Sequence, residues 1–454
     1  MNLRRGDIPS RGSRFPRDKV LPSPRVGVDR VGVPASETSR LPGPAVDIVD
    51  GLGTSLPPPY GISGAQAPRV GSANPGLYLH IPFCSAICPY CDFAVLTGGP
   101  ERRRRFADHL VREISMWKDE RSTFESIDTI YFGGGTPSAL APKDLGHILE
   151  ATRENLSVHD DAWVFFEANP EDVTAESVQA WRNLGVRFLS LGIQSFDADA
   201  LKFLGRRHFP DQAGRSFDIA REAGFETISI DLIYGLPDQP FEIWKRTLEQ
   251  AVELRPDHLS CYQLTIHEGT PFGFRLARGK MSEAPEDTQG ELFLFTHSFL
   301  KDSGYPGYEV SNFARSPEHR SRHNQKYWHH VPYLGVGPSA HSFAGTRRWW
   351  NERKLKAYEA KIGDGGKPIE GSEELTRSDL ALEALMLSLR TTDGIERTFF
   401  RERYGVDLLK SNEPLVERLV RDGLLKLEGD VLVPTLAGLA VTDSLARAFD
   451  LGEP

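Results

Sequence analysis

Short apolar runs alternate with amphipathic stretches through the middle of this chain. Six of the runs have the length and the branched or aromatic content of buried strands. They read GLYLHIPF at 76–83, IDTIYFGGG at 127–135, AWVFFEANP at 162–170, FLSLGIQS at 188–195, TISIDLIYGLP at 227–237 and HLSCYQLTI at 258–266. Helical patterns separate them. They lie at 102–117, 143–155 and 175–184, in stretches that end at 223, and at 242–254. Strands that alternate with helices in this way predict an α/β fold whose parallel sheet has right-handed crossovers.

The first of these helices carries a single apolar stripe. Phe106, Leu110, Ile114 and Trp117 recur at intervals of three and four residues. This spacing puts the four side chains on one face of a helix. We therefore expect that face to pack on the sheet.

Several of the predicted strands end in glycine or in polar residues. Their last residues read FGGGTP, EANP, GIQSF, DLIYGLP and YQLT. In parallel sheets and barrels the chemistry lies in the loops that follow the carboxyl ends of the strands, and these ends share one edge. The sequence therefore predicts one site at that edge.

The last eighty or so residues follow another pattern. Helices at 375–389 and 414–423, strands at 424–428 and 431–434, and a helix at 436–449 predict a smaller α+β, winged-helix-like domain. Winged helices often bind DNA, but residues 373–453 hold 10 Lys and Arg against 16 Asp and Glu. Because a phosphate-binding surface needs the opposite charge, we expect structural packing or protein contact and no nucleic acid.

The first 74 residues differ from the rest in composition. They hold 11 of the 32 prolines and two aromatic residues. Since such a segment cannot bury enough apolar surface to offset its ordering entropy, we predict a disordered extension at 1–74, a core at 75–318 and a C-terminal domain at 319–454. The Arg-rich string RGSRFPRDK suggests an organelle transit peptide. A dispensable tail or a start codon placed too far upstream are the alternatives.

The overall composition is that of a soluble protein with 39% hydrophobic residues and a formal net charge of −9. This charge argues against broad affinity for nucleic acid or anionic lipid. No apolar run is long enough to cross a bilayer, and no apolar signal-peptide core follows Met1. Four cysteines, three of them crowded together, do not form a secreted disulfide framework. We therefore predict a cytoplasmic protein.

Those three cysteines, Cys84, Cys88 and Cys91, lie in the string FCSAICPYCDFAV. Their spacing lets a compact loop present three thiolates to one centre, and thiolates favour zinc, copper(I) or iron–sulfur clusters. A zinc site needs a fourth ligand, for which Cys261, His80 and Asp92 are available. A four-iron cluster held by three cysteines keeps one iron open to a substrate or cofactor, so this hypothesis accounts for the missing ligand.

The string YLHIPFCSAICPYCDF resembles the opening of radical S-adenosylmethionine (SAM) proteins, whose CxxxCxxC motif binds a [4Fe–4S] cluster. In that family SAM chelates the open iron through its amino and carboxylate groups. HIPFC, GGGTP, GIQSF, DLIYGLP and HNQKYW occur here in the order found in the branch related to oxygen-independent coproporphyrinogen oxidase. The resemblance implies a partial (β/α)6 TIM-type barrel, with Cys84, Cys88 and Cys91 as the cluster ligands.

The resemblance also implies roles for residues at the strand ends. Gly134, Gly135 and Thr136 match the segment that meets the amino group of SAM, and glycine permits the close backbone approach that this contact needs. Glu167 matches a carboxylate that binds the ribose of SAM. The plain structural alternatives are a tight turn for the glycines and a strand-end cap for the glutamate.

Six further positions match cofactor-binding residues of this branch. They are Tyr78 near the cluster and the methionyl end of SAM, Tyr90 beside its adenine, and Gln194, Arg206, Asp231 and Thr265 in a second SAM pocket. Arg206 is also suited to a tetrapyrrole propionate, because guanidinium pairs bidentately with carboxylates. Asp231 lies within an apolar strand, where an unpaired carboxylate is costly, so we expect it to have a partner or a function. For the tyrosines, ordinary core packing is the alternative.

A histidine-rich stretch follows the predicted core. RHNQKYWHHVPYLGVGPSAHSF contains His323, His329, His330 and His341 beside several aromatic residues. Imidazole can ligate haem iron, and aromatic side chains can cover a macrocycle. One of the four is therefore predicted to contact haem, although a single histidine is more often structural.

Phe93 separates two branches of the family. The oxidase motif continues with a cysteine two places after the third ligand, whereas this chain has CPYCDF, as in the haem-chaperone branch. The resemblance therefore implies a haem-transfer protein that binds the cluster, SAM and haem as cargo, and that passes haem to an apoprotein. The alternatives are an oxidase that decarboxylates coproporphyrinogen III through a 5′-deoxyadenosyl radical, and a zinc-stabilised binding module. A homodimer is left open.

Overall fold

The structure is a computed structural model that describes residues 74–452. Its strands are β1 (Gly76–Ile81), β2 (Ile127–Gly134), β3 (Val158–Ala168), β4 (Val186–Gln194), β5 (Thr227–Tyr234), β6 (His258–Gln263), β7 (Asn312–Ala314), β8 (Tyr333–Val336), β9 (His341–Ala344), β10 (Arg347–Asn351), β11 (Ile369–Glu374), β12 (Ile395–Glu396), β13 (Leu425–Glu428) and β14 (Val431–Pro434). The predicted extension at 1–74 lies, apart from Asn74, outside the described residues. The predicted domain limits stay predictions.

The α-helices connect and cover these strands. They are α1 (Pro100–Met116), α2 (Pro142–Asn155), α3 (Ala175–Asn183), α4 (Ala198–Phe203), α5 (Pro210–Glu222), α6 (Phe241–Glu253), α7 (Pro271–Ala277), α8 (Glu286–Asp302), α9 (Arg322–Trp328), α10 (Leu355–Gly363), α11 (Arg377–Ser388), α12 (Arg397–Tyr404), α13 (Leu408–Arg421), α14 (Leu436–Leu439) and α15 (Thr442–Ala448). None of the helices within 74–452 has the length and hydrophobicity that a membrane crossing needs.

Strands β1 to β6 lie side by side in sequence order, and each pairs in parallel with the next. The predicted parallel α/β core is therefore confirmed. The sheet also continues beyond these six strands. β7 pairs antiparallel with β6, β8 pairs in parallel with β1, and β9, β10 and β11 extend that second edge as an antiparallel meander. The sequence patterns did not predict this continuation.

The two faces of the core strands have different environments. In β1, Leu77, Leu79 and Ile81 are buried in the main hydrophobic core with the surrounding helices, whereas Tyr78 and His80 point to the inner face. The predicted stripe on α1 is confirmed, because its four apolar side chains are all buried. Each buried side chain of this kind stabilises the fold by about 1.5–3 kcal/mol.

Helix α9, which contains HNQKYW, packs at the N-terminal end of the barrel strands. His323 Nδ1 lies 2.9 Å from the hydroxyl of Thr129, near the start of β2, and its Nε2 lies 2.9 Å from the hydroxyl of Tyr327. Lys326 Nζ lies 2.6 Å from Asp128 Oδ1 and donates to the carbonyl of Asn74. The motif therefore closes the end of the barrel opposite to the carboxyl ends of the strands.

Glu113 on α1 joins the core to the segment that follows β8. The carboxylate is fully buried and accepts hydrogen bonds from the backbone N–H of Gly337 at 2.8 Å, the side-chain amide of Asn351 at 2.6 Å and the hydroxyl of Tyr358 at 2.5 Å. Burial raises its pKa to about 7, against the lowering effect of these donors. One carboxylate thus connects α1 to the β8–β9 loop, to β10 and to α10.

The C-terminal residues form a smaller domain with its own core. Helix α11, strand β12, helices α12 and α13 and the β13–β14 hairpin follow one another, and the small sheet has the order β12-β14-β13. This is the predicted winged-helix-like arrangement. The sequence patterns did not predict α12 and β12. The predicted single helix at 436–449 is wrong, because Val441, at φ −126° and ψ 25°, separates α14 from α15.

Candidate functional site

The three clustered cysteines lie on a loop that follows β1, here called the cysteine loop (residues 83–96). Its base is closed by backbone hydrogen bonds from Cys84 N to Leu96 O at 3.0 Å and from Leu96 N to Pro82 O at 2.8 Å. All three thiols are free and partly exposed. Cys261, in contrast, is only 2% exposed and belongs to the core beneath the helices. The structure therefore separates the three candidate ligands from the fourth cysteine.

The GGGTP segment runs directly against this loop. Gly135 N donates to Ile81 O at 2.7 Å, and Thr136 N donates to Phe83 O at 2.8 Å. A Cβ at Gly135 would lie 2.8 Å from each of the two carbonyl oxygens and 3.1 Å from Cys84 Sγ, so only glycine fits. The hydroxyl of Thr136 donates to Cys84 Sγ at 3.5 Å. The close packing of this segment against the cysteine loop therefore places the Thr136 hydroxyl beside the Cys84 thiol.

His80 supports the same segment from the inner face of β1. Its Nε2 lies 3.1 Å from the carbonyl of Ala94 in the cysteine loop, and its Nδ1 lies 3.1 Å from the hydroxyl of Tyr78. Gly134 has φ +105°, and a Cβ there would lie 2.6 Å from the His80 ring. Burial lowers the pKa of His80 to about 4, so the ring is neutral. Tyr78 thus contacts the cysteine loop through His80.

Asn169 and Arg206 connect the first two cysteines. Asn169, at the end of β3, donates from Nδ2 to Thr136 Oγ1 at 3.1 Å and accepts at Oδ1 from Arg206 Nη2 at 2.6 Å. Arg206 also donates to the carbonyl of Gly192 at 2.8 Å and to Cys88 Sγ at 3.7 Å. A continuous hydrogen-bonded chain, here called the Asn169 bridge, therefore runs from Cys84 through Thr136, Asn169 and Arg206 to Cys88.

Glu167 lies two residues before Asn169, on the inner face of β3. Its Oε1 accepts from the hydroxyl of Tyr131 at 2.7 Å, and the carboxylate also accepts from the backbone N–H of Gly134. Burial raises its pKa to about 7, with a further rise from the nearby Asp231. The carboxylate is thus oriented by two donors and shares the inner face with a second acid.

Asp231 on β5 is surrounded by hydroxyl donors. Ser190 donates to its two carboxylate oxygens at 2.8 and 2.9 Å, and Ser229 donates at 3.3 Å. Burial raises the pKa of Asp231, although these donors and the more distant Arg206 act against the rise. The expectation that this acid has partners is confirmed. Its hydrogen bonds come from serines, whereas Arg206 bonds to Asn169 and Gly192.

The remaining predicted site residues lie around this centre. Gln194 has a φ of 66°, at an irregularity in the β4–β5 pairing, and this left-handed backbone is uncommon for a residue other than glycine. A Cβ on Gly192 would meet both Gln194 Nε2 and Arg206 Nη2 within 3.5 Å, so these two side chains are neighbours. Tyr90 packs near Phe272, with 6.4 Å between ring centroids. Thr265 lies partly buried in the loop after β6.

The four histidines proposed for haem lie elsewhere. His323 is buried in the closure of the N-terminal end of the barrel. His330 is buried against Phe343, with ring centroids 4.4 Å apart, and its Nδ1 lies 3.3 Å from the Tyr404 hydroxyl. His329 lies 3.7 Å from Asp393, and the exposed His341 stacks on Trp350. Haem contact by one of the four stays a prediction.

The sequence patterns did not predict the residues that orient the candidate site residues. Asn169 lies within the quoted EANP string, and the rule that polar residues at strand ends share a site could have identified it. Tyr131 occupies an inward position of β2 opposite Phe165, and strand alternation puts Glu167, two residues further along β3, on the same inner face. His80 lies within HIPFC but was considered only as a zinc ligand.

The donor set fits an iron–sulfur cluster with SAM better than a closed zinc site. Within residues 74–452 no three His, Cys, Asp or Glu side chains converge on a single-ion position. His80 is hydrogen-bonded at both ring nitrogens, and Cys261 is buried in the core. The buried Nε of Arg206 has no hydrogen-bond partner among the described residues, so a donor remains beside Cys88. Such an unpaired donor is costly unless a ligand accepts from it.

A six-stranded parallel barrel with a CxxxCxxC loop at the carboxyl ends of its strands defines the radical SAM class, and the family comparisons agree. Residues 78–251 match the Radical SAM superfamily, and residues 375–441 match the HemN C-terminal domain. Heme chaperone HemW of Bacillus subtilis is 32% identical over 83% of this chain and 99% of its own length. The chain therefore belongs to the radical SAM superfamily and, within it, to the family of the HemW proteins.

A second HemW protein, a mouse radical SAM protein and a solved structure of this fold are also similar to the chain. Heme chaperone HemW of Escherichia coli is 32% identical over 82% of this chain and 97% of its own length. The mouse protein named radical S-adenosyl methionine domain-containing protein 1, mitochondrial, is 32% identical over 84% of this chain and 88% of its own length. The structure of coproporphyrinogen III oxidase (HemN) from Escherichia coli superposes with a TM-score of 0.70 at 25% identity, over 82% of this chain and 89% of that chain. The predicted fold is thereby confirmed.

Proposed function

We propose that this protein is a haem chaperone of the cytoplasm, which binds a [4Fe–4S] cluster and SAM and passes haem to an apoprotein. The observation that carries the cofactor part is the Asn169 bridge. Cys84 and Cys88 each receive a polar hydrogen from a different strand-end loop, at 3.5 and 3.7 Å, so their positions are fixed relative to each other. The haem part is supported by the names of the relatives that align over more than four fifths of the chain.

In this proposal Cys84, Cys88 and Cys91 hold the cluster. Burial raises the pKa of Cys84, and it raises the pKa of Cys91 to about 12. Iron binding would release the protons of these two thiols, because the thiolate is the ligand. When bound, the cluster supplies one-electron chemistry and an open iron.

The other residues bind SAM. Gly134 and Gly135 let the strand end pack against His80 and the cysteine loop, and the backbone there would meet the methionyl end of SAM where Thr136 presents a hydroxyl beside Cys84. Glu167, oriented by Tyr131, accepts hydrogen bonds from the ribose hydroxyls, and the free Nε of Arg206 is available to a carboxylate or phosphate-like acceptor near Cys88. Asp231 and Gln194 extend the polar lining along the inner face of β4 and β5.

The second candidate function is oxidation of coproporphyrinogen III, since the oxidase shares this fold. Phe93 argues against it. The side chain at this position is a phenyl ring, which cannot carry the proton or the electron that a thiol can carry. We therefore propose that the protein does not convert coproporphyrinogen III to protoporphyrinogen IX.

One experiment tests the assignment. The purified protein is reconstituted anaerobically with iron and sulfide, then titrated with haemin in one arm and supplied with SAM, a reductant and coproporphyrinogen III in the other. We expect a reducible four-iron signal, stoichiometric haem binding and no porphyrinogen product. Robust turnover would assign the chain to the oxidase branch, and a protein that takes up zinc but forms no cluster would support the zinc-stabilised module.

A further inference from the structure

Beside the cysteine loop, helix α7 and the segment before it form part of the rim of the barrel at the carboxyl ends of the strands. Phe272 N in α7 donates to Pro89 O of the cysteine loop at 3.0 Å. His267 Nδ1 lies 3.8 Å from Asp92 Oδ2 of the same loop. The carbonyl of His267 in turn accepts from the hydroxyl of Thr270, which caps α7. The two segments therefore form one continuous surface.

Three large apolar side chains on this surface are exposed to solvent. Ile87 and Phe93 of the cysteine loop are 48% and 60% exposed, and Phe274 of α7 is 55% exposed. Each lies within two residues of a contact that joins the two segments. Single exposed apolar residues are ordinary, but three large ones on two directly joined segments favour a ligand or partner site. We call Ile87, Phe93 and Phe274 the rim platform.

Positive charge lies on the α7 side of this platform, whereas the cysteine-loop side carries Asp92 next to Phe93. The segment 265–282, which contains Phe274, holds Arg275, Arg278 and Lys280 against the single acid Glu268, although the whole chain has a net charge of −9. All three cationic side chains are exposed. A ligand with an apolar body and carboxylates at its edge is therefore complementary to this part of the rim.

The same surface offers one metal ligand. The His267 side chain is partly exposed, and its Nδ1 faces a carboxylate. The distance of 3.8 Å to Asp92 is that of an ion pair and not of a hydrogen bond, and a carboxylate on the Nδ1 side of the ring leaves Nε2 to act as a metal ligand. In contrast, His323 and His330 are buried in hydrogen-bonded positions, so neither ring can approach an external macrocycle without local unfolding.

We propose that haem binds on this rim, with its macrocycle on the rim platform, its propionates beside Arg275, Arg278 and Lys280, and His267 as an axial ligand of its iron. This inference rests on the proposed haem-chaperone function and specifies where the cargo lies. It places haem outside the barrel interior, next to the loop that carries the cysteines. Haem and SAM then occupy different surfaces of the same loop.

The test uses the full-length protein titrated with haemin and followed by its Soret band and by electron paramagnetic resonance. We expect His267→Ala to lose the histidine-ligated spectrum and to bind haem at least about 10-fold more weakly. Phe93→Ser combined with Phe274→Ser should also weaken binding by roughly 10-fold or more, because the apolar contact area is lost. His147→Ala on α2 and Leu427→Ser on β13 change exposed side chains far from the rim in sequence, and they are expected to bind like the wild type.

The outcomes separate this inference from the proposed function. If the wild type binds no haemin, the haem-chaperone function itself fails and the rim site fails with it. If the wild type binds haemin but His267→Ala keeps the same spectrum and affinity, only the rim site is overturned. If His341→Ala, and not His267→Ala, loses the histidine-ligated spectrum, haem binds in the C-terminal half of the chain and the rim site is overturned. If the rim variants still bind haem but no longer transfer it to an apoprotein, the rim is a protein interface and the haem site on the rim is overturned. Cluster iron content, measured for each variant, shows whether the cysteine loop stays folded.

Discussion

Asn169 Oδ1 accepts a 2.6 Å hydrogen bond from Arg206 Nη2, which joins the end of β3 to the segment after α4. Because the other side of the Asn169 amide donates to Thr136, one short side chain determines the positions of two groups that contact different cysteines. The predicted ligands are therefore positioned by a residue that touches none of them.

Asn169→Ala should weaken SAM binding while the chain stays folded. The guanidinium of Arg206 loses its acceptor and Thr136 loses its donor, and a hydrogen bond to a charged group is strong enough to change affinity by roughly 10-fold or more. The measurement is SAM titration of the reconstituted protein by calorimetry. Asn169→Asp keeps an acceptor for Arg206 but cannot donate to Thr136, so it should lie between the wild type and the alanine variant.

The matched control for this series is Asn183→Ala. Asn183 is an exposed asparagine at the end of α3 that accepts from Gln179. Its removal should leave SAM affinity unchanged. Equal losses in the two alanine variants would mean that the Asn169 bridge has no particular role.

Alanine at Cys84, Cys88 or Cys91 should abolish cluster binding, whereas Cys261→Ala should keep full iron content. The three clustered thiols share one loop, while Cys261 is a small buried side chain whose loss leaves only a minor cavity. Iron and sulfide are counted after anaerobic reconstitution. Loss of iron in Cys261→Ala to the same degree as in the others would contradict the three-ligand site.

Glu113→Gln should change how the stability of the protein depends on pH. The folded-state pKa of Glu113 is about 7 and its ordinary value is 4.5, so between these values the folded state holds the proton more tightly than the unfolded state. Its contribution to the free energy of unfolding is therefore full below pH 4.5 and is lost as the pH rises through 7, a change of about 3 kcal/mol for one such group. Glutamine does not ionise and lacks this dependence.

Urea unfolding of both proteins across that pH range gives the measurement. The free energy of unfolding of the wild type minus that of the glutamine variant should decrease as the pH rises from 4.5 to 7, because only the wild type loses stability when this group ionises. This difference is the gap that the measurement follows. Glu167 and Glu309 have raised pKa values of the same origin, but both proteins contain them, so they cancel in the difference. A gap that stays constant or widens would contradict the assignment.

Removal of residues 1–73 should leave cluster and SAM binding intact. The contacts that form the site come from residue 78 onwards, and the carbonyl of Asn74, which accepts from Lys326, is retained. The truncated and full-length proteins are compared by iron content and SAM affinity. A truncation that folds but binds neither would show that the extension takes part in the site. A start at Leu77 should instead destabilise the protein, since Lys326 then loses an acceptor.

Phe93→Cys should not produce an active coproporphyrinogen oxidase. The substitution restores the thiol of the oxidase motif, but the exposed rim around it, including Ile87 and Phe274, keeps its present shape. The measurement is the anaerobic assay for porphyrinogen product with SAM and a reductant. Turnover by this variant would show that a single side chain separates the two branches.

The sequence predicted the features that depend on local pattern. Alternating apolar runs located the six parallel strands, and the stripe on α1 was correctly oriented, because both follow from the periodicity of buried positions. The continuation of the sheet through β8 to β11 was missed, since these strands are only four to six residues long and contain charged residues such as Arg347 and Arg348. The two-residue turn of Gly345 and Thr346 between β9 and β10 was the available hairpin signal.

Only part of the site could be predicted, because only some of its features depend on local sequence. The spacing of Cys84, Cys88 and Cys91 is a local property, so the candidate ligands could be read directly. The Asn169–Arg206 contact joins residues 37 positions apart, and the contact of Glu113 with Tyr358 joins residues 245 positions apart. The sequence around these four residues does not indicate which residue each of them contacts in the fold. Buried polar pairs of this kind depend on the tertiary fold and become visible only with it.

The closed base of the cysteine loop affects how the protein withstands exposure to oxygen. Backbone hydrogen bonds from Cys84 and Leu96 and the Pro89–Phe272 contact hold the loop, so we expect its shape to depend less on bound metal than that of a zinc finger does. Oxidative loss of the proposed cluster should then leave the chain folded. We expect repair to require only iron, sulfide and electrons, so that the same molecule survives repeated oxidative damage without being resynthesised.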